Sequence, residues 1–307
     1  MRRRVLLLLA LAAALGGCQE SGFDESKETA RPLKVQHALG DIGGTKVPGQ
    51  AERPATLTTD ALDDTLALGV EPVWASVPGG KLPDYLRAEA PGIEVAPPVT
   101  RLDTAALEAA DPDVILASVQ GQERLYPELS RIAPTIATDA GGAGWQLNLR
   151  LHGEALGRTN DAEELLTDWD RRVGQARAAI GDEAAAQTRV AVVLAARTGL
   201  FVAGSDSFAG KVLADLGVEG PASGDDHSGE RKRISAAGVG ALRSELLLLS
   251  VAPGAEDAAA RLGRSRAWRA LPVVRSGGVT RVDAGTWWSG GGILAARAAL
   301  VDVGRAL

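Results

Sequence analysis

One cysteine, Cys18, occurs among 307 residues, which excludes a disulfide within the chain and leaves core burial to hold the fold. Histidine is nearly as scarce: His37, His152 and His227 lie far apart, with no paired-ligand spacing that would mark a zinc motif. No G-x-S-x-G elbow occurs, and the carboxylates show no spacing that singles out an acid/base pair. "GSDSFAGKV" at 204–212 approaches a phosphate-binding loop, but five residues separate Gly204 from Gly210 instead of four, and Val212 stands where Ser or Thr would hold magnesium. These gaps point away from an enzyme and away from a resident cofactor or protein-held metal. Long apolar runs are missing too: Val5–Leu15 spans eleven residues, where a membrane-crossing helix needs about 20.

That short run has its own meaning, because Arg2, Arg3 and Arg4 precede it and small residues end it, the pattern of a secretory leader. Leu15-Gly16-Gly17-Cys18 resembles the bacterial lipobox, where cleavage falls just before a cysteine that carries lipid. The expectation is a signal peptide at 1–17 and a lipid-anchored tether at 18–35, the polar stretch "QESGFDESKETAR" opening it. The chain would then sit on the extracytoplasmic face of the cell membrane; an ordinary leader cut nearby would leave a free thiol instead. Removing three arginines and no acid takes the formal charge from -6 to -9, which does not suit a nucleic-acid partner.

Beyond the tether, short apolar runs alternate with helical stretches, which predicts α/β architecture with parallel sheets. "ATLTT" at 55–59, "PVWASV" at 72–77 and "DVILAS" at 113–118 read as strands of one series, and "RVAVVLA" at 189–195, "LFVAG" at 200–204, "LLLLSV" at 246–251 and "VTRVD" at 279–283 as strands of a second. Between the series, Ala162, Leu166, Trp169, Val173, Ala176 and Ile180 place one apolar stripe along a helix, with Asn160 and Glu163 as a capping box at its start. The expected layout is an N-terminal lobe at 36–147, a connecting helical segment at 148–182 and a C-terminal lobe at 183–307. A weak internal echo, "LALGVEPVWAS" at 66–76 against "LADLGVEGPAS" at 213–223, fits two lobes of related build.

Six tryptophans outnumber three phenylalanines and two tyrosines. Trp169 and Trp268 sit at helical positions and read as core. Trp74 in a strand, Trp145 after "AGGAG" and Trp287-Trp288 before "SGGG" stand where large rings wall ligand clefts.

Seven segments in order, among them "QHALGDIGGTKVPGQAERPATL" at 36–57, "DPDVILAS" at 111–118, "YPELSRIAPTIAT" at 126–138 and "VDAGTWWSGGGILAARAALVDV" at 282–303, resemble the iron-siderophore and cobalamin solute-binding proteins of ABC importers. The resemblance implies two Rossmann-like lobes joined by a single long helix, with a ferric siderophore held in the cleft between them and delivered to ABC permease subunits. It also implies cleft contacts from Trp74, Arg124, Tyr126, Trp287 and Trp288, with Trp145, Arg197, Phe201, Ser205 and Phe208 as further candidates. Aromatic walls and arginines suit a chelate whose iron is already saturated, so metal ligands are not required of the protein. A hydroxamate or mixed chelate is expected before a triscatecholate, whose three negative charges would need several converging cations. Which chelate is taken, or whether cobalamin or haem replaces it, is open at this point.

Family members that deliver to an importer carry a docking glutamate on each lobe, but here the matching positions read Ala105 and Ala237, with Asp103, Glu108 or Glu245 as nearby substitutes. The alternative is therefore a siderophore- or haem-binding or scaffold lipoprotein of the envelope that does not deliver to a permease. The lipobox reading gives the first test. Cys18→Ala should release the protein from the membrane or leave it unprocessed, since each buried lipid CH₂ contributes about 0.8 kcal/mol to anchoring; wild-type protein recovered wholly in the soluble fraction with a free thiol would refute it.

Overall fold

The computed structural model describes residues 31–41, 44–138, 142–220, 229–235 and 237–307; Cys18, the leader, His227 and the end of the internal echo lie outside them. No helix among the described residues is long and apolar enough to cross a membrane.

A short antiparallel ribbon, β1 (Leu33–Val35) with β2 (Thr45–Val47), precedes the first lobe. That lobe's sheet holds β3 (Pro54–Thr56), β4 (Trp74–Ala75), β5 (Val114–Ser118) and β6 (Thr135–Thr138), all parallel in the order β4-β3-β5-β6. β5 is buried along its whole length, as expected of a parallel strand covered on both faces. The second lobe's sheet has the order β11-β10-β7-β8-β9, from β7 (Val190–Ala196), β8 (Gly199–Ala203), β9 (Arg231–Ile234), β10 (Leu246–Val251) and β11 (Val279–Arg281).

The two-lobed α/β class holds, but the second sheet is mixed. β7, β10 and β11 are parallel, whereas β8 and β9 run antiparallel to their neighbours. Ala196 pairs with Gly199, so only Arg197 and Thr198 join β7 to β8; a parallel crossover needs a dozen residues or more. β9, "RKRI", is an edge strand too basic to announce itself as one, and its charges discourage pairing with another chain.

The helix between the sheets runs over Thr159–Ile180, and the predicted stripe faces inward: Ala162, Leu166, Trp169 and Val173 are buried. Its start differs from the expected capping box. The residue before it is Arg158, with no side-chain cap, and Glu163 instead accepts from Arg150 Nε at 2.7 Å. Asp168 on this helix binds Arg171, Arg172 and, at 3.0 Å, Arg297 of the C-terminal helix Ile293–Ala306. The Arg172 hydrogen bond, with Arg171 beside it, holds the Asp168 carboxyl down at about 2. One continuous apolar cluster includes Leu116 of the first sheet, Val192 and Leu248 of the second, and Trp145, Trp169 and Trp287.

The C-terminal helix is tied back to the first lobe by two buried carboxylates. Asp63 and Asp64 lie on the helix Thr59–Ala67 and are fully buried. Asp64 Oδ1 accepts from Ile293 N at 3.1 Å, and the two Asp63 oxygens accept from Leu294 N at 2.7 Å and Ala295 N at 2.9 Å. These are the unpaired donors of a helix's first turn, at the positive end of its dipole. The preceding residue is Gly292, where a Cβ would fall 2.4 Å from Asp63 Cγ, so only glycine allows the approach. The other Asp64 oxygen meets His152 Nδ1 at 2.7 Å, also fully buried.

Burial pushes the Asp64 carboxyl up to about 6, opposed by His152, and pushes Asp63 well above the ordinary range with the Asp64 charge adding to it. Burial works against the His152 imidazolium, but the hydrogen bond and charge of Asp64 outweigh it and raise its pKa. Each group, in its own window between the unfolded and the folded value, holds a proton that the unfolded chain has released, the acids at lower pH and His152 at higher pH, once Asp64 is ionised. Their stabilisation is therefore complete below the unfolded values, about 4 for the acids and 6.5 for histidine, and is lost as pH rises through the folded ones. The expected result is a Tm that falls by about 5 °C or more between pH 5 and pH 8, with Asp64→Asn flattening the lower part of that range. A Tm that rises across the window would show that the cluster does not titrate this way.

Candidate functional site

Every parallel strand of both sheets sends its C-terminal end toward one cleft, the position where open α/β sheets place ligands. From the first lobe come Thr58, Thr59 and Asp60 after β3, Val77–Gly79 after β4, Ser118, Gln120 and Gln122 at the end of β5, and Asn148 beyond β6. Leu194 of β7, Val251–Pro253 after β10 and Asp283–Gly285 after β11 face them from the second lobe. Two adjoining cavities, about 660 and 370 Å³, share Thr59, Val77, Pro78, Gly79, Trp288 and Ser289.

The tryptophan pair sits on a wide helical turn, Gly285–Ser289, opened by Asp283 Oδ2 accepting from Thr286 N at 2.8 Å. Consecutive residues on that turn point apart. Trp287 is 2% exposed and donates its indole N–H to Asp302 Oδ2 at 3.0 Å, whereas Trp288 lines both cavities. A Cβ at Gly285 would lie 2.7 Å from Pro83 Cβ, so glycine lets this turn close against the first lobe.

Charge among the described residues of the cleft is nearly balanced. Lys81 and Arg87 are its basic lining residues, Asp60, Asp84 and Asp283 its acidic ones. Arg87 is taken by Asp84 and by the carbonyl of Leu82, leaving Lys81 exposed at the mouth. Neutral donors and acceptors supply most of the remaining polarity. Gln122 is itself a structural member, donating to Leu57 O at 3.0 Å and accepting from Ser118 N at 3.1 Å. No group of three or more His, Cys, Asp or Glu among the described residues is arranged to hold a metal ion.

Of the residues expected at the cleft, Trp288 alone lines these two cavities. Trp74 packs on the cluster of Ala55, Leu57 and Ile115 and donates to Ser76 Oγ at 3.0 Å. Trp145 is fully buried, edge-on to Trp169 at 5.3 Å and to Phe208 at 6.3 Å. Arg124 is exposed on the turn Glu123–Leu125, and Tyr126 meets His37 with ring centroids 5.7 Å apart. Arg197 lines a different cavity. Phe201 lies under the Arg231 guanidinium at 5.6 Å, and Ser205 bonds to Asp206. The signal for the residues missed was positional: they follow strands already legible in the sequence.

Ala105 and Ala237 are both exposed. Among the acids near them, Asp103 caps its helix by accepting from Ala105 N and Ala106 N, and Glu245 is held by Arg189. Glu108 remains exposed.

The profile of the family described as periplasmic binding protein matches residues 55–285. A Bacillus subtilis (strain 168) protein named probable siderophore-binding lipoprotein YfiY is 26% identical over 312 residues, covering 97% of this chain and 95% of its own. The achromobactin-binding periplasmic protein of Dickeya dadantii (strain 3937) is 28% identical over 267 residues, covering 83% of this chain and 86% of its own. Staphylococcus aureus SirA, solved with staphyloferrin B, superposes with a TM-score of 0.74 at 24% identity, over 89% of this chain and 98% of that one, and so shares the fold.

The two adjacent tryptophans should separate in a stability experiment. Trp287→Ala should destabilise the chain by about 3 to 5 kcal/mol through the cavity it leaves, and Trp288→Ala by markedly less. Equal losses in urea unfolding would mean that both rings are core.

Proposed function

The chain belongs to the periplasmic binding protein family, and from that premise we propose that it is a membrane-anchored extracytoplasmic receptor that takes a ferric siderophore into its cleft and presents it to an ABC importer. Lobes at 36–147 and 183–307 joined by the segment 148–182 form the receptor, and Cys18 carries its anchor. The observation that carries the reading is a cleft of two joined cavities built from the strand ends of both lobes, walled by Trp288 and lined, among the described residues, by two basic and three acidic side chains. The relatives named for siderophores and achromobactin support the substrate class.

Iron arrives as part of the chelate, so the cleft has to hold an organic shell and not a bare cation. The indole of Trp288 covers apolar or π-rich surface, while Thr58, Thr100 and Gln120 offer hydrogen bonds to amide and hydroxamate oxygens. A ligand with little net negative charge suits this balance; a triscatecholate would bring three negative charges past Asp60, Asp84 and Asp283. Docking on the importer would use side chains other than Ala105 and Ala237, since neither carries a charge.

Titration of the chain from Gln19 with a ferric trihydroxamate and a ferric triscatecholate, followed by tryptophan fluorescence, tests the assignment. The trihydroxamate should quench at saturation, and Trp288→Ala should weaken it by about 1 to 3 kcal/mol. Quenching by neither chelate would remove the cleft as a siderophore site, and tighter binding of the triscatecholate would overturn the charge argument.

A further inference from the structure

We propose that the second lobe carries a separate binding pocket for a small organic polycarboxylate. A cavity of about 570 Å³ lies between the β7–β8 turn, the end of β9 and the helix Glu256–Arg264. Arg197, Arg233 and Arg261 line it together with Ser235, and among the described residues no acidic side chain does. It shares no lining residue with the interlobe cleft.

The arrangement is unusual in a chain of formal charge -6. Several guanidiniums of this surface sit on carboxylates, as Arg150 does on Glu163 and Arg172 on Asp168, and others, such as Arg243 and Arg269, on backbone carbonyls. Arg197 and Arg261 are exposed and have no ion pair among the described residues. Arg233 is oriented by donation from Nη2 to Thr198 O at 2.6 Å, which leaves its other N–H groups to the cavity. Three like charges around one hollow repel each other, and an anion seated among them converts that repulsion into charge-assisted hydrogen bonds.

The shape of the pocket selects the kind of anion. Ala196, Leu200, Ile234, Ala258 and Leu262 form its remaining walls, a surface that gains from covering a carbon skeleton. Each guanidinium presents a planar fork that matches one carboxylate in bidentate fashion. Two or three carboxylates on a short aliphatic frame satisfy both features; inorganic phosphate satisfies only the charge.

Tricarballylate, a tricarboxylate without the hydroxyl that makes citrate a strong iron chelator, is the probe. Calorimetric titration into the chain from Gln19 should show saturable binding that weakens as salt is raised. Arg261→Gln and Arg197→Gln, both at exposed positions, should each lower affinity by about tenfold or more, with Trp288→Ala leaving it unchanged. No saturable binding, or binding indifferent to both arginine substitutions, would overturn the pocket. Loss in Trp288→Ala would place the anion in the cleft instead, and inorganic phosphate binding as tightly would overturn the organic class. The result is independent of the cleft assignment, because a ferric chelate can fail to quench tryptophan while tricarballylate still binds, and the reverse.

Discussion

Two adjacent carboxylates on one helix, Asp63 and Asp64, reach 229 to 232 positions along the chain to receive the first N–H groups of the last helix. Placing two acids side by side without solvent is expensive, and removing one partner of such a cluster leaves the other uncompensated. Here the donors, the helix dipole and His152 offset part of that cost, and burial still leaves both carboxyls holding their protons more tightly than free acids do. The junction between the first lobe and the C-terminal segment is therefore polar and directional, which sets the angle at which the last helix lies against Asp63 and Asp64. Apolar packing alone would set that angle less tightly.

The ligand-facing geometry follows from that angle. Because Gly292 must pass within van der Waals reach of Asp63, and Gly291 comes up to Asp60, the preceding turn at Gly285–Ser289 is held against Pro83, and Trp288 comes to face the strand ends of the first lobe. Trp287, one residue earlier, is carried into the core, where Asp302 of the same terminal helix takes its indole N–H. One cap thus orders a core residue and a cleft residue at once. The long helix Thr159–Ile180 contributes the second tie, through Asp168 to Arg297, and the apolar cluster that runs through both sheets makes the lobes one packed body.

Charge is distributed unevenly over this frame. The chain is acidic overall, the cleft close to balance, and one face of the second lobe basic. The basic character comes from a short turn, an edge strand and one helix, elements distant in sequence. Arg197 illustrates the consequence: it follows a central strand, yet the two-residue turn after β7 directs it to the flank beside Arg233 and Arg261.

Much of the fold was legible in the sequence. The continuous apolar runs of β5, β7 and β10, the 3.6-residue stripe of the long helix and the Trp-Trp-Ser-Gly-Gly-Gly segment each follow from local periodicity, which a chain carries in its own order. What tertiary structure decided were matters of partnership. Trp74, Trp145 and Trp287 all stand near glycine-rich or strand-end sequence, but a ring this large is drawn into whatever apolar space its element faces, and that face depends on neighbours far along the chain. Asp63 and Asp64 are marked by no spacing in the sequence, and only the last helix, by presenting its N–H groups, gives them a role; β8 read as parallel because periodicity carries no direction. Local order determines which elements form and how they bury themselves; which side chains meet is determined only when distant elements pack, because burial and charge pairing are properties of the pair.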